Sequence, residues 1–482
     1  MTQQSPILHT DLYIDGAWRP GAEGVRFDVL NPATEEVLAS VASAEIADAQ
    51  DALDAAAAAA PAWAARTPRD RSNILRRAFE LMSARLPEFA RLITLENGKA
   101  RGDAMGEATY AAEFFRWFSE EAVRVEGMIA HAPASGARIL VQHKPAGIAV
   151  LITPWNYPAA MATRKIAPAL AAGCPVILKP ASETPLTMLA LMPLLEEAGV
   201  PKGIVQVLPS RKTGPLVDHL LHDPRVRVVS FTGSTNVGRT LLRAAADQVL
   251  KPAMELGGNA PLIVFEDADL DVAVTGAMQA KMRNLGEACT AANRFYVHAD
   301  VAEAFAEKFT AAMAALKMGN GLDETVDVGP LVNADTRDKV AAFVEDAVAK
   351  GAKVLLGGTT PNGPGFFYPP TVMVDVPETA ACVNDEIFGP VAAIQTFTDQ
   401  DDVITRANNT EYGLVAYVFT QNLARGLKVC EALDYGMTGL NRGLVSDPAA
   451  PFGGTKQSGL GREGGHEGIK EFTETQYIAV QW

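Results

Sequence analysis

The sequence contains little cysteine or histidine, and it lacks long apolar runs. Its 482 residues include four cysteines and seven histidines, and neither type shows the paired spacing of a zinc site or a disulfide framework. We therefore expect a protein without a bound metal in the reducing cytoplasm. The first residues lack the basic and apolar segments of a secretory signal. No stretch reaches the ~18 apolar residues that span a membrane, so we expect no membrane partner.

Positive charge is also in short supply. The 42 Lys and Arg residues are outnumbered by 57 Asp and Glu, which gives a formal net charge of −15. Nucleic-acid binding relies on clustered Lys and Arg, so we expect no nucleic-acid partner. A small anionic substrate remains compatible, because a pocket can be locally basic inside an acidic protein. The length exceeds what one hydrophobic core usually supports, and we expect two or three domains.

From residue 147 onward, short apolar segments alternate with helical segments. This order predicts βαβ units and a mostly parallel sheet, with ligands at the carboxyl ends of its strands. A second alternation begins near residue 260 and predicts a second α/β domain. The predicted strands of the first region are 147–154, 175–180, 204–209 and 226–233, and its predicted helices are 161–173, 184–199 and 234–247.

Two further helices have ends that the sequence predicts. The alanine run at 55–60 predicts a helix that ends at Pro61, because proline interrupts helical hydrogen bonding. The pattern over 270–286 predicts a long helix that leads up to Cys289.

Residues 131–147 are basic and alternate in polarity. They predict an exposed β-ribbon that crosses between domains or reaches a neighbouring subunit. The final segment 473–482, TETQYIAVQW, alternates weakly and is a candidate partner strand for this ribbon.

Three segments carry residues capable of chemistry. Cys289 in LGEACTAANR is, by itself, either a packing residue or a nucleophile. Glu255 in ELGGNAP is either a turn residue or a general base. The segment GSTNVGRT at 233–240 has the spacing of a phosphate loop, but Arg239 replaces the required lysine. It therefore favours a looser pyrophosphate site at a helix N-terminus.

A series of motifs follows one order along the chain: TPWNYP, KPASETP, FTGSTNVG, MELGGNAP, GEACTAANR, NDEIFGP and PFGGTKQSGLGRE. The series resembles the NAD(P)-dependent aldehyde dehydrogenase superfamily. LYIDGAWRP, NPATEEVL and LENGKA extend the resemblance to nearly the whole chain. It implies an α/β fold with a Rossmann-type cofactor domain (1–126 and 146–257), an α/β catalytic domain (258–460) and a small β oligomerisation arm (127–145 and 461–482). It also implies a homodimer or homotetramer.

The resemblance implies a catalytic role for three residues. Cys289 would attack the aldehyde carbonyl and form a thiohemiacetal. Asn156 would donate its side-chain amide to the oxyanion, together with the Cys289 backbone amide. Hydride transfer to the nicotinamide would leave a thioester, and Glu255 would activate the water that hydrolyses it.

The resemblance also implies where the cofactor binds. Ser182 stands where NAD-preferring members carry a glutamate, whose charge would repel a 2′-phosphate. With Lys179 nearby, Ser182 favours NADP, with NAD as a second acceptor, although Glu183 opposes this preference if its carboxylate comes close. The implied cofactor-binding residues are Thr153, Pro154, Trp155, Lys179, Ser182, Gly233, Ser234, Glu386 and Phe388.

Substrate choice is implied by Arg164, Arg283 and Ser446, which match positions in succinate-semialdehyde dehydrogenases, the subfamily that the chain resembles most. Two guanidinium groups and a hydroxyl suit the distal carboxylate of a small semialdehyde acid. The resemblance thus implies NADP-linked oxidation of succinate semialdehyde to succinate. The alternative for either arginine is an ion pair with Asp or Glu.

The chain departs from that subfamily at three positions. Ala291 stands where many members carry a second cysteine, so we expect no local disulfide switch. Glu287 replaces a usual glutamine and is expected to add a charge near the thiol. Arg442 is expected to add a cation near the substrate mouth. These changes leave glutarate or 2-oxoglutarate semialdehyde, or a broad range of aldehydes, as alternative substrates.

Overall fold

The structure is a computed structural model that describes residues 8–481. Its helices occur both before and within the two α/β regions. In chain order they are α1 (Ile46–Ala64), α2 (Pro68–Ser83), α3 (Leu86–Asn97), α4 (Arg101–Glu121), α5 (Pro158–Ala172), α6 (Leu186–Ala198), α7 (Thr213–His222), α8 (Thr235–Asp247), α9 (Leu270–Met282), α10 (Ala302–Ala314), α11 (Ala334–Ala349), α12 (Ala381–Asn384), α13 (Gln400–Asn408) and α14 (Leu423–Ala432).

The strands of the described range form sheets of eight, seven, three and two strands. In chain order they are β1 (Leu12–Ile14), β2 (Ala17–Arg19), β3 (Arg26–Leu30), β4 (Val37–Ala42), β5 (Met128–His131), β6 (Arg138–Pro145), β7 (Ile148–Ile152), β8 (Val176–Lys179), β9 (Val205–Val207), β10 (Val226–Thr232), β11 (Lys251–Glu255), β12 (Ala260–Val264), β13 (Ala292–His298), β14 (Lys353–Leu356), β15 (Thr371–Val374), β16 (Val391–Phe397), β17 (Val415–Phe419), β18 (Met437–Leu440), β19 (Gly459–Leu460) and β20 (Thr473–Val480).

The eight-stranded sheet has the order β19-β11-β10-β7-β8-β9-β1-β2, and its central strands β11 to β9 are parallel. This confirms the predicted parallel sheet. The strand β7 is buried at every position, which explains its continuous apolar sequence. Because parallel strands end along one edge, the loops that carry Asn156, Ser182 and Ser234 all lie at the same edge as Glu255.

The seven-stranded sheet has the order β14-β15-β16-β13-β12-β17-β18 and is parallel except at β14. It confirms the second predicted α/β region. Each large sheet contributes to its own hydrophobic clusters, with Leu151 and Leu178 in one and Leu262 and Phe295 in another.

The predicted end of the first helix was wrong, because α1 continues past Pro61 to Ala64. Proline removes one amide donor near the end of this helix, yet its own carbonyl still accepts a hydrogen bond from the Ala65 amide at 3.1 Å. Burial of Trp63 stabilises the last turn.

The start of α5 also differs from the prediction. It lies at Pro158, because the first helical position needs no amide partner.

The long helix predicted over 270–286 was also wrong at its end, since α9 ends at Met282. After Arg283, the residues Asn284, Leu285 and Gly286 have positive φ angles, so they cannot continue a right-handed helix. This change of direction places Cys289 at the active-site cavity described below.

The predicted ribbon is confirmed as a three-stranded sheet. Strand β6 pairs antiparallel with β5 on one side and with β20 on the other. Apolar side chains on this sheet face solvent, among them Met128, Ile129 and Tyr477. Within residues 8–481, no helix combines the length and apolar character required to cross a membrane.

Candidate active site

A left-handed turn presents Cys289 to a cavity. Asn284, Leu285 and Gly286 have φ angles of 51°, 58° and 76°, a region that most side chains avoid. Gly286 is required here, because a Cβ atom would lie 2.2 Å from the carbonyl oxygen of Gly389. The turn leaves Cys289 half-buried in the wall of the cavity.

Asn156 lies in the loop between β7 and α5 and binds the cysteine loop directly. Its Nδ2 atom donates to the carbonyl oxygen of Glu287 at 2.9 Å, and its own carbonyl accepts from Asn284 Nδ2 at 3.0 Å. An amide nitrogen carries two hydrogens. One of them is thus used to hold Asn156 in place, and the other is available to an oxyanion formed at Cys289.

Glu255 ends β11 directly behind the thiol. Its Oε2 atom lies 4.0 Å from Cys289 Sγ, and its side chain is buried. Burial raises the pKa of Glu255 to about 8, although the Arg164 charge acts in the opposite direction. Burial and the Glu255 charge also raise the pKa of the Cys289 thiol. A carboxyl group in this pKa range can exchange protons near neutral pH.

Arg164 is already paired in this structure. Its Nε atom forms a 2.5 Å ion pair with Glu463 Oε2, and its guanidinium lies 4.1 Å from the ring centroid of Phe452. Lys165 contacts the same carboxylate and donates to Ser230 at 3.0 Å. Arg164 lines the cavity, but its charge is largely balanced by a buried partner.

Arg283 and Ser446 meet inside the cavity. Arg283 Nη1 lies 3.3 Å from Ser446 Oγ, and the guanidinium lies 5.2 Å and 5.8 Å from the ring centroids of Tyr157 and Tyr110. Within residues 8–481, Arg283 forms no ion pair with a carboxylate. This guanidinium, unlike that of Arg164, remains available to an anionic ligand.

The opposite part of the cavity has the features of a nicotinamide site. The rings of Trp155 and Phe388 meet edge to face with centroids 5.3 Å apart. Glu386 accepts a hydrogen bond from the Gly258 amide at 3.1 Å, and burial raises its pKa to about 7. A carboxyl group and two aromatic rings can hold a ribose and a flat heterocycle.

A cradle for a pyrophosphate lies beside these rings. Ser234 caps α8 by accepting a hydrogen bond from the Val237 amide, and Gly233 donates its amide to the Glu255 carbonyl at 3.0 Å. Helix N-termini favour anions. Gly257, whose Cβ would lie 3.2 Å from Glu386, keeps the cradle open. A dinucleotide fits this arrangement.

A second cleft carries Ser182, which was expected to select the cofactor, and Arg211, which the sequence did not point to. Ser182 follows β8 and Arg211 follows the neighbouring parallel strand β9, and both line this cleft. Ser182 Oγ donates to Glu183 at 3.2 Å. Burial lowers the pKa of Lys179 at the end of β8 to about 8. Carboxylates also line the cleft, from Asp28, Glu96, Glu183 and Asp335, so the Glu183 charge does come close to Ser182.

The first cavity has a volume of about 230 Å³ and brings together most of the predicted site. Glu255 lies behind its wall. Thr153, Lys179 and Ser182 are not among its lining residues. The predicted residues that line it are Asn156, Cys289, Pro154, Trp155, Gly233, Ser234, Glu386, Phe388, Arg164, Arg283 and Ser446.

Several lining residues escaped the sequence analysis. Tyr157 and Phe452 lie inside the quoted motifs and could have been found there, whereas Tyr110 on α4 lies in a segment without any motif. The lining residues that were missed are Tyr110, Tyr157, Met161, Thr232, Leu256, Gly257, Ala288, Thr290, Thr336, Lys339 and Phe452.

Two expected charges do not line the cavity. The carboxyl of Glu287 accepts a hydrogen bond from the Val332 amide at 3.1 Å, and burial raises its pKa to about 8, so it is mostly neutral at pH 7. Arg442 is exposed and donates to the Leu444 carbonyl at 2.6 Å. Neither residue therefore supplies the charge at the site that the sequence suggested.

Comparison with known proteins agrees with this geometry. Residues 18–478 match the aldehyde dehydrogenase family. The succinate-semialdehyde dehydrogenase of Paenarthrobacter nicotinovorans is 55% identical over 444 residues, which cover 92% of this chain and 99% of that protein. The glutarate-semialdehyde dehydrogenase of Pseudomonas aeruginosa is 47% identical over 478 residues and 99% of each chain.

The fold comparison gives the same result. The crystal structure of an NADP-dependent enzyme from E. coli has a TM-score of 0.97 at 46% identity, and the match covers 98% of both chains. A match of this extent includes both large sheets and the ribbon. The chain therefore belongs to the aldehyde dehydrogenase family.

Proposed function

We propose that this chain oxidises succinate semialdehyde to succinate, with NADP as the preferred hydride acceptor. The observation that carries the proposal is the pairing of Arg283 with Ser446 at 3.3 Å, in the cavity that also exposes Cys289 and Asn156. A guanidinium and a hydroxyl together suit a carboxylate through charge-assisted hydrogen bonds. The identity to the succinate-semialdehyde dehydrogenase of Paenarthrobacter nicotinovorans supports the choice of substrate.

The first step forms a bond between Cys289 Sγ and the aldehyde carbon. The carbonyl π electrons move to oxygen, and the free Asn156 Nδ2 hydrogen donates to that oxygen. Glu255, 4.0 Å from the sulfur, accepts the thiol proton. The product of this step is a thiohemiacetal attached to Cys289.

Bound NADP supplies the nicotinamide that accepts the hydride, and loss of this hydride converts the thiohemiacetal into a thioester. Trp155 and Phe388 would hold the ring, while Ser234 at the N-terminus of α8 would bind the pyrophosphate. The proposed cofactor site also includes Lys179, Thr153 and Pro154.

The second step clears the thioester. Glu255 has by then released its first proton to solvent, and it takes a proton from water as the water oxygen adds to the thioester carbon. The carbon–sulfur bond breaks, Cys289 leaves as a thiolate, and succinate is released. The overall reaction consumes one aldehyde, one NADP and one water for each succinate.

NADP preference is supported by the second cleft. Ser182 brings no charge of its own, and Arg211, which follows the next strand, supplies a guanidinium that can pair with a 2′-phosphate and offset the nearby Glu183 carboxylate. The solved E. coli relative is an NADP-dependent enzyme. NAD remains a second acceptor, because the pyrophosphate and nicotinamide residues serve both cofactors.

The test is NADPH formation by the purified protein, with Cys289→Ala as the blank. We expect kcat/KM for succinate semialdehyde to exceed that for butanal by roughly 10–100-fold, the contribution of one charge-assisted hydrogen bond. Equal values for the acid and the neutral aldehyde would overturn the proposed substrate class.

Glutarate semialdehyde is the second candidate substrate, because a relative of 47% identity is named for it. The ion pair between Arg164 and Glu463 argues against a doubly charged acid such as 2-oxoglutarate semialdehyde, since it leaves Arg283 as the available cation. Comparison of kcat/KM for the four- and five-carbon semialdehyde acids separates the two candidates.

We also propose the division into a cofactor domain (1–126 and 146–257), a catalytic domain (258–460) and an arm (127–145 and 461–482). Exposed apolar side chains such as Ile129 support a role of the arm in a homodimer or homotetramer. Ile129→Asp should then lower the mass measured by light scattering.

The free thiol of Cys289 suits the reducing cytoplasm.

A further inference from the structure

The segment LENGKA joins α3 to α4 and takes no part in the chemistry described above. Its side chains nevertheless hold the loop that carries Asn156. Asn97 Nδ2 donates to the Trp155 carbonyl at 3.1 Å, and Lys99 Nζ donates to the Asn156 carbonyl at 2.6 Å. Two side chains of one short segment thus bind two consecutive carbonyls of the proposed oxyanion loop.

Lys99 is buried and forms an ion pair with a buried carboxylate. Its side chain is 1% exposed, and Nζ lies 2.5 Å from Glu107 Oε2. The ammonium also lies 4.1 Å from the ring centroid of Tyr157. The other Glu107 oxygen accepts hydrogen bonds from the Ala159 and Ala160 amides at 2.8 Å and 3.3 Å. The pair therefore joins α4 to the first turn of α5, immediately after Asn156.

The same helix also binds the turn before the nucleophile. Asp103 accepts a hydrogen bond from the Asn284 amide at 2.9 Å, and Asn284 Nδ2 reaches the Asn156 carbonyl at 3.0 Å. Asp103 and Glu107 lie four residues apart and share one face of α4. The Asn156 carbonyl consequently has two donors, one from Lys99 and one from the nucleophile turn.

We propose that Lys99 is a positioning residue for the oxyanion donor. Its ammonium fixes the Asn156 carbonyl and thereby the direction in which the Asn156 side-chain amide points, without contact to the substrate. The inference rests on the proposed role of Asn156. Oxyanion donors act only when they are held at the position where charge develops, so a small displacement lowers kcat more than substrate binding.

The test is a double-mutant cycle in kcat with Lys99→Met, Asn156→Ala and the double variant. Each single variant should lower kcat by roughly 10-fold or more, as expected for an impaired oxyanion donor. In the Asn156→Ala background, Lys99→Met should have an effect of about twofold or less, since coupled residues are non-additive. The Kd for NADP should remain unchanged in all three.

Lys99→Met leaves Glu107 buried without its partner, which destabilises a fold strongly. Lys99→Met with Glu107→Gln is the second variant, because the glutamine oxygen can still accept from the Ala159 amide without an unpaired charge. Arg71→Met is the matched control. Arg71 is also buried and binds the Ala171 carbonyl at the far end of α5 at 2.9 Å. It should lower Tm while kcat per folded protein stays constant.

Two results would overturn the inference. Additive losses for Lys99→Met and Asn156→Ala would show that Lys99 acts on something other than Asn156, and the proposed function would stand. An unchanged kcat in Asn156→Ala would instead overturn the oxyanion role itself, and the inference with it.

Discussion

Cys289 Sγ lies 4.0 Å from Glu255 Oε2, with the carboxyl group buried behind the thiol. Burial raises the pKa of both groups, that of Glu255 to about 8. As pH rises, the carboxyl group therefore loses its proton before the thiol does. This order makes Glu255 the base of the pair, both for the thiol and for the water that later clears the thioester.

The rate of thioester hydrolysis should rise with pH and level off above about 8. The reason is that only the carboxylate form of Glu255 accepts a proton from water. Below its pKa of about 8, the carboxylate fraction falls by about tenfold per pH unit. Single-turnover measurements from pH 6 to 9, started from the acylated enzyme, test this slope. Glu255→Gln should hydrolyse slowly and without the slope, whereas a sloping profile in that variant would contradict the assignment.

Arg283→Ala should raise KM for succinate semialdehyde by roughly 10–100-fold, because a charge-assisted hydrogen bond to the distal carboxylate is lost. The KM for butanal should change by less than about threefold, since a neutral aldehyde makes no such bond. Steady-state kinetics with both substrates provide the comparison.

Arg164→Met is the contrasting variant for this prediction. Removal of Arg164 leaves Glu463 with Lys165 alone, so the effect should be a lower Tm and a similar loss for both aldehydes. A KM increase confined to the semialdehyde acid in Arg164→Met, with none in Arg283→Ala, would reverse the roles assigned to the two arginines.

Ser182→Glu should move the cofactor preference toward NAD. A carboxylate at this position repels a 2′-phosphate and can accept hydrogen bonds from ribose hydroxyls. The ratio of kcat/KM for NADP to that for NAD should fall by roughly 100-fold, about 2.7 kcal/mol at 25 °C. An unchanged ratio would place cofactor selection outside this cleft.

Arg211→Ala should raise the Kd for NADP by roughly tenfold and leave the Kd for NAD nearly unchanged. The effect is modest because the ion pair between an exposed guanidinium and a phosphate is modest in strength. Lys212→Ala is the neighbouring control. Lys212 pairs with Glu45 at 3.3 Å and does not line the cleft. Binding of 2′,5′-ADP, measured by calorimetry, isolates the 2′-phosphate from the rest of the cofactor. Equal increases in the Kd for NAD and the Kd for NADP in Arg211→Ala would show a general effect on folding.

Gly286→Ala should abolish activity and lower stability. The new Cβ atom would lie 2.2 Å from the Gly389 carbonyl, at a backbone φ of 76°. Gly351→Ala separates the steric clash from the backbone strain. Gly351 has a φ of 109°, but a Cβ atom there would have no neighbour within 4 Å. That control should lose about 1 kcal/mol of unfolding free energy and retain activity. Full activity in Gly286→Ala would contradict the described turn.

Local sequence pattern predicted structure correctly where it decides structure by itself. Continuous apolar strands such as Ile148–Ile152 and their alternation with helical segments predicted the parallel sheets, and the family resemblance placed Cys289 and Asn156 in one site, where both line the same cavity. Local pattern failed where a single residue is stabilised by its surroundings. The helix through Pro61 persists because its last turn is packed through Trp63, which lies outside any local rule.

Contacts between residues that lie far apart in the sequence were the second feature that the sequence did not predict. The partner of Arg164 is Glu463, 299 residues away along the chain, and only the packing of the C-terminal turns against α5 brings them together. Tyr110 reaches the cavity from a helix that carries no motif. Contacts of this kind depend on three-dimensional packing, so a single sequence without its structure does not reveal them.

The central claim is that Cys289 becomes acylated by the semialdehyde while NADP is reduced. The most direct test mixes the protein, with Glu255 intact, with succinate semialdehyde and NADP, stops the reaction with acid within the first turnover, and follows NADPH release and peptide mass together. Because the acid traps the thioester before water clears it, we expect a burst of up to about one NADPH per active site and a succinyl group on the peptide that carries Cys289. A burst without an adduct on Cys289, or an adduct on another residue, would contradict the account.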